Sequence, residues 1–467
     1  MNKIDKRIQI VLLFLSVLFI SLIVYLSYFE IFTSSKIEKN SYNKRQWLDE
    51  DHILRGKILD RNGKVLAYSS KEGKNKERHY KYNSLYSHII GYSYREYGKS
   101  GLEKTYNKEL LDLTENKSIN EIKKLISNEE SKGNNLILTI NHELQKYSKE
   151  LLGDKKGAIV SMNPKNGDIY SMVSYPDFNP NDLKQDWNNI IENKESPLLN
   201  RSTSGLYTPG SIFKIITTTA ALEEENINTN FQCDGKVNID GYILKDYKGE
   251  AHGQVNLHES LVESCNVAFS QIGLQVGQEK LNSMSEKYML NRIIPFDLET
   301  KKSKFPQKNM TKAELGASSI GQGEILVTPL NMAMMTSAIA NDGKLVKPNL
   351  VKKIVSPNND IIESSEVEVL SNVTSKEIAE KIKDMMIDVV DEGTGDEAKI
   401  RGIKVAGKTG TAENNKEKEH AWFVAFAPAD NPQIAVAVVL ENIGETGGSS
   451  AAPIARNIIL KAINTIK

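Results

Sequence analysis

From Ile8 through Phe29 the chain carries no charged side chain: IQIVLLFLSVLFISLIVYLSYF is an unbroken run of 22 residues. As an α-helix it would span roughly 33 Å, enough to cross a hydrocarbon core about 30 Å thick. Lys3, Lys6 and Arg7 precede the run. The positive-inside rule then puts the N-terminus in the cytoplasm and everything after Phe29 outside the membrane. A cleaved signal peptide has a shorter apolar region and a small-residue cleavage site. Here Glu30-Ile-Phe-Thr-Ser-Ser follows instead, so a retained single-pass anchor is expected.

The remainder reads as globular. Lys+Arg and Asp+Glu are both 60, so no global basic excess points to nucleic acid. Residues 30–50 are polar and form a linker. Lys57 to Ala67 contains an Asn-Gly turn between two strand-like runs. A stronger hairpin signal joins Gly157–Met162 to Asp168–Val173 across Asn163-Pro-Lys-Asn-Gly167. A third joins Ala421–Phe426 to Gln433–Leu440. Helical patterns lie between them, at Ile212–Glu225 and Leu330–Ala340, and a last helix is expected over Ala452–Ile466. Strands from both ends with helices between them predict an α+β domain over about 146–467, its antiparallel sheet built from hairpins with helices beside it.

Three short motifs in this domain carry chemistry. Ser211-Ile-Phe-Lys214 follows Tyr207-Thr-Pro-Gly210 at the start of a helical pattern. Residues three apart share a helix face, and the helix N-terminus offers free N–H groups and partial positive charge. That suits a serine nucleophile with a lysine base, provided burial lowers the lysine pKa. A lone S-x-x-K is far more often a helix cap with a solvated lysine. Ser264-Cys265-Asn266 can aim a hydroxyl and an amide into one pocket, the hydroxyl as proton relay and the amide as substrate ligand. Alone, it is an ordinary loop sequence. Lys408-Thr409-Gly410-Thr411 reads as an edge strand to which an extended peptide could add. Lys408 offers a cation to a carboxylate, Gly410 would allow close backbone approach, and the Thr411 N–H with that of Ser211 could form an oxyanion hole. Its bland alternative is a glycine turn.

The three motifs in this order resemble the S-x-x-K, S-D-N and K-T-G signature of penicillin-binding proteins and class A β-lactamases, the middle one reading S-C-N here. The chain resembles the class B penicillin-binding proteins over nearly its whole length. Arg55-Gly-Lys-Ile-Leu-Asp60-Arg-Asn-Gly63 and Gly98-Lys-Ser-Gly-Leu-Glu103 are similar to their membrane-proximal motifs. Ile320-Gly-Gln-Gly-Glu324, Thr328-Pro329 and His420-Ala-Trp-Phe423 resemble segments of their transpeptidase domain. The resemblance implies a cytoplasmic tail (1–7), a transmembrane helix (8–29), a linker and dimerisation-like pedestal (30–145) and a serine β-lactamase/transpeptidase-like domain (146–467). The polar stretches 112–135 and 297–310 match nothing in that pattern and are expected to be surface loops.

The implied reaction is peptidoglycan cross-linking without a cofactor. Ser211 attacks the D-Ala-D-Ala carbonyl of a stem peptide and expels D-Ala. An amine on a neighbouring strand then takes the acyl group, and β-lactams acylate the same serine. Lys214, Ser264, Asn266 and Lys408 to Thr411 complete the implied catalytic set, with Asn266, Lys408, Thr409 and Thr411 binding substrate. Alternative readings are a serine β-lactamase and a non-catalytic β-lactam sensor or scaffold. The roughly 115 residues between the anchor and the catalytic domain are too few for a glycosyltransferase domain plus linker. The implied partner is a membrane glycosyltransferase of the shape, elongation, division and sporulation (SEDS) family.

The two cysteines, Cys233 and Cys265, are too few for a disulfide scaffold. With Asp246 and His252 they could complete a tetrahedral structural zinc site. A Cys233–Cys265 disulfide and two free thiols are the alternatives.

Overall fold

The hairpin signals assemble into one antiparallel sheet. A computed structural model of the chain describes residues 3–34, 53–72, 75–113, 131–412 and 418–466. Most of the expected linker, and residues 114–130 of the polar stretch, lie outside them. The strands run in the order Ile169–Tyr175, Gly157–Met162, Ile434–Leu440, His420–Ala427, Ala406–Ala412. The Lys408 motif therefore lies on an edge strand, as its sequence predicts. All seven residues of Ile434–Leu440 are buried, because helices cover both faces of the sheet. Ala435, Ala437 and Val439 face one core, against the wholly buried helix Pro329–Ala340. Val436, Val438 and Leu440 face a second, against His142–Leu152 and Ala452–Thr465. The two-residue period of the strand thus divides the domain into two cores.

A second sheet has six strands, in the order Ile361–Ser364, Val351–Val355, Asn135–Leu138, Ile58–Leu59, Val65–Glu72, Asn75–Tyr80. The strand Asn135–Leu138 thereby joins Ile58–Leu59 to Val351–Val355, more than two hundred residues later in the chain. The Asn62-Gly63 turn forms as expected. Gly63 takes a φ of +82°, and Asp60 Oδ1 accepts from the N–H groups of Asn62 and Lys64 at 2.9 and 2.8 Å.

One expectation holds only in part. Residues 297–310 form a loop in which Lys301, Lys302, Lys304 and Lys308 are exposed, but Leu298 and Phe305 are buried, and the Phe305 ring stacks on Phe213 with centroids 6.0 Å apart. Asp297 accepts from the hydroxyl of Tyr106 and from the N–H of Leu350 at 2.7 Å. The segment has few apolar residues and no period, so nothing local marks it as core.

Near the N-terminus, Lys3–Tyr28 is helical. The stretch Lys6–Thr33 is the one candidate, among the described residues, long and apolar enough to cross a membrane.

Candidate active site

Gly210–Phe213 forms a short 3-10 helix that runs straight into the α-helix Lys214–Leu222. In a 3-10 turn side chains at i and i+3 eclipse one another, so Ser211 and Lys214 share a face more closely than in the α-helix the sequence predicts. Ser211 is partly exposed, whereas Lys214 is fully buried. Its Nζ donates to Ser264 O at 2.6 Å, Asn266 Oδ1 at 2.8 Å and Ser264 Oγ at 3.3 Å. Burial brings Lys214 down to about 8, outweighing the upward pull of Asp246 and Cys265.

Ser264 sits at a φ of +57°, a left-handed conformation uncommon for a residue with a side chain. The Lys214 bond to its carbonyl holds it there. Cys265 caps the following helix, Asn266–Val276, its thiol accepting from Ala268 N–H at 3.3 Å. The S-C-N motif is thus a strained turn followed by a helix start, which brings Ser264 and Asn266 to the same lysine.

The edge strand closes the other side. Lys408 is fully buried, and its Nζ donates to Ser264 Oγ at 2.9 Å. Ser264 Oγ therefore lies between two lysine amine nitrogens. Lys408 is held well below the usual lysine range by burial and by the nearby Lys214. Thr409 faces Thr394, with hydroxyl oxygens 2.7 Å apart, while Thr411 is partly exposed.

Gly410 has a different reason from the expected one. A Cβ there would meet Pro209 O at 2.9 Å and Ile212 Cγ2 and Trp422 Cβ at 3.0 Å. Its missing side chain makes room for the serine turn, not for a substrate. Gly210 makes the reciprocal fit: a Cβ on it would lie 2.6 Å from Thr411 O. The backbones around Ser211 and Thr411 are therefore packed against each other, as two oxyanion donors would need to be.

Cys233, Asp246, His252 and Cys265 also converge. Cys233 pairs with Gly253 between the strands Asn230–Cys233 and Gly253–Asn256, and the hairpin Lys236–Ile239/Tyr242–Lys245 delivers Asp246 between them. One ligand atom from each lies within 4.8 Å of all the others. Both thiols are free. They donate to Asp246 Oδ2, at 3.1 Å from Cys233 and 3.4 Å from Cys265, so the disulfide alternative is not formed. The other Asp246 oxygen accepts from the N–H of Asn266, a role the sequence reading missed because nothing in the sequence pairs residues 246 and 266. Trp422 is a second omission: its indole N–H donates to Thr208 O at 3.0 Å and steadies the serine turn.

A helix-borne serine, a buried lysine one turn on, and a flanking strand edge define an active-serine acyltransferase. Comparison with known proteins agrees. The penicillin binding protein transpeptidase domain model matches residues 157–460, and the dimerisation domain model of penicillin binding protein A matches residues 55–136. The peptidoglycan D,D-transpeptidase PbpA of Mycolicibacterium smegmatis is 32% identical, over 99% of this chain and 99% of its own. MrdA of Acinetobacter baumannii, also a peptidoglycan D,D-transpeptidase, is 29% identical over 80% of this chain and 64% of its own. Penicillin-binding protein A from M. tuberculosis, solved as a ceftriaxone acyl-enzyme complex, superposes with a TM-score of 0.85 at 32% identity. The match covers 89% of this chain and 100% of that one. The chain belongs to the penicillin-binding protein transpeptidase family.

Proposed function

We propose that this chain is a membrane-anchored peptidoglycan D,D-transpeptidase with Ser211 as its acylated residue. The observation that carries the reading is Lys214: a fully buried lysine, brought down to about 8, one turn after a partly exposed serine. Ser211 Oγ attacks the carbonyl of the penultimate D-Ala and gives its proton to neutral Lys214. The Ser211 and Thr411 N–H groups receive the oxyanion. The C–N bond breaks, the leaving D-Ala amine takes a proton relayed from Lys214 through Ser264, and an acyl-serine remains. An acceptor amine attacks it by the reverse path and becomes the new amide. Asn266 holds a substrate amide, while Lys408, Thr409 and Thr411 bind the terminal carboxylate. A β-lactam opens its ring on the same serine and stays attached. The chemistry needs no cofactor.

The helix Lys3–Tyr28, whose first turns carry Lys3, Lys6 and Arg7, supports a single-pass anchor with the N-terminus cytoplasmic and the catalytic domain outside. Residues 55–136 form a pedestal between the two. The glycan strands come from a separate enzyme, for which a SEDS-family membrane glycosyltransferase is the partner of choice.

The Cys233, Asp246, His252, Cys265 cluster suits a structural zinc ion: two thiols, an imidazole nitrogen and a carboxylate oxygen within 4.8 Å of one another. Zinc there would tie the hairpin to the Asn266 helix start and leave the acyl transfer to serine and lysine. Metal analysis of purified protein should find about one zinc per chain, reduced in a His252→Ala variant. Metal-free protein with two titratable thiols contradicts it.

The test of function uses the detergent-solubilised full chain with a D-Ala-D-Ala stem peptide and a D-amino acid acceptor. Exchange of the terminal D-Ala, with a long-lived penicillin adduct, is expected. Fast penicillin turnover would make it a β-lactamase, and an adduct without peptide exchange a sensor.

A further inference from the structure

Four residues before Ser211, the Tyr207 side chain is tied to a buried ion pair outside the catalytic motifs. Its hydroxyl donates to Glu441 Oε1 at 2.5 Å, and the same oxygen accepts from Arg201 Nε at 2.7 Å. Tyr207 and Arg201 are buried, and the Glu441 side chain is 11% exposed. Glu441 directly follows the strand Ile434–Leu440, and its N–H donates to Lys156 O at 2.7 Å, so its backbone belongs to the rigid sheet.

We infer that Tyr207 and Glu441 are positioning residues for Ser211: the carboxylate clamps the tyrosine hydroxyl and so fixes the turn that carries the nucleophile against the Lys408 strand. The inference rests on the acyl-transfer reading above. The rest of Tyr207 is placed by other means. Its backbone exchanges hydrogen bonds with Val327 at 3.0 and 2.8 Å, and its ring lies edge-on to His420 and Trp422, with centroids at 5.5 and 6.0 Å. What the hydroxyl adds is a fixed depth for the ring in that slot. Burial and the neighbouring carboxylate hold the phenol well above its ordinary range, so it remains a donor throughout the working pH range.

Only Thr208, Pro209 and Gly210 separate this clamp from Ser211. A Cβ on Gly210 would already stand 2.6 Å from Thr411 O, so turn and strand have no slack between them. A small shift of the turn changes the spacing of the Ser211 and Thr411 N–H groups. Such a change acts on the developing oxyanion and hence on the acylation step, not on the initial binding of the β-lactam.

The experiment measures the penicillin acylation rate and the pre-acylation Kd by stopped flow, with Tm alongside, on the full chain in detergent. Tyr207→Phe leaves the Arg201–Glu441 pair intact. It should lower the acylation rate ~10-fold, leave Kd unchanged, and barely move Tm. Glu441→Gln keeps an acceptor oxygen for the hydroxyl but removes the counter-charge of Arg201. It should lower the rate only ~3-fold, as a neutral acceptor is weaker, and lower Tm more. The two variants thus rank in opposite order for rate and for stability. Rates that follow Tm, or that stay at the wild-type value, would overturn the inference. If one variant fails to fold, the other decides on its own predicted loss of rate at constant Kd. Wild-type protein that is not acylated at Ser211 would instead bring down the acyl-transfer reading itself.

Discussion

The pedestal and the catalytic cleft both bury charge, in opposite ways. In the pedestal, Glu103 is fully buried between Arg55 and Arg78, which donate to its two oxygens at 2.5 and 2.7 Å. Arg55 also donates to Asn107 Oδ1 at 2.6 Å. Burial alone would raise the Glu103 carboxyl, yet the two guanidinium groups pull it below the usual carboxylate range. In the cleft, Lys214 and Lys408 are buried as deeply, but the oxygens that accept from the two amines are neutral. Burial there lowers both lysines. Paired charge holds its ionised form, whereas a buried ammonium without a bonded counter-ion gives up its proton more readily. Both clusters fall on the sequence motifs of the family, and only the partners distinguish their roles.

The largest expected effect is on the pedestal. Glu103→Gln leaves two buried guanidinium groups without their carboxylate and should cost about 3–5 kcal/mol of stability. Denaturant unfolding measures it, and the acylation rate of the folded protein should stay at the wild-type value. Unchanged stability would break the contrast from the pedestal side. From the cleft side, Lys214→Arg keeps a cation that does not deprotonate in the working range. Acylation should fall ~100-fold or more, the scale for loss of a general base, in protein that still unfolds cooperatively. Near-normal acylation by this variant would remove Lys214 from the role of base.

A smaller effect sharpens the contrast through pH. Neutral Lys214 accumulates as pH rises through about 8, so the acylation rate should climb about tenfold between pH 7 and 9. Because its folded pKa lies below the unfolded value, the folded chain binds fewer protons in that interval. The stability penalty of burying it is full below about 8 and is relieved as pH rises toward the unfolded lysine value. Glu103 shifts stability in the same direction with pH, but in the acid range and as a gain rather than the relief of a penalty. Its contribution is present above the unfolded carboxylate pKa and is lost as pH falls through its depressed folded value. A flat acylation profile over pH 7 to 9 would contradict the assignment of the cleft.

The regions differ as well in how far the sequence reveals them. The hairpins, the edge strand and the three motifs are local patterns of alternation and turn residues, and they fold where expected. The 3-10 start at Gly210–Phe213 is not legible, because i,i+3 spacing fits either helix type. The anchoring of 297–310 is not legible either, since Phe305 is buried by Phe213 and Asp297 is engaged by Tyr106, both far away in the chain. The same holds for the bonds from Thr394 to Thr409 and from Asp246 to Asn266. Short motifs announce the groups proposed to react; the groups that hold them in place are supplied by tertiary contacts and carry no signature of their own.

The account stands most directly on the covalent bond at Ser211. Full-length protein and a Ser211→Ala variant, matched for melting temperature, are incubated with penicillin, and adducts are read by intact mass and peptide mapping. The account predicts one intact penicillin added per chain, on the peptide that contains Ser211, and none on the variant. An adduct mapped to another residue, or formed equally by Ser211→Ala, would contradict it.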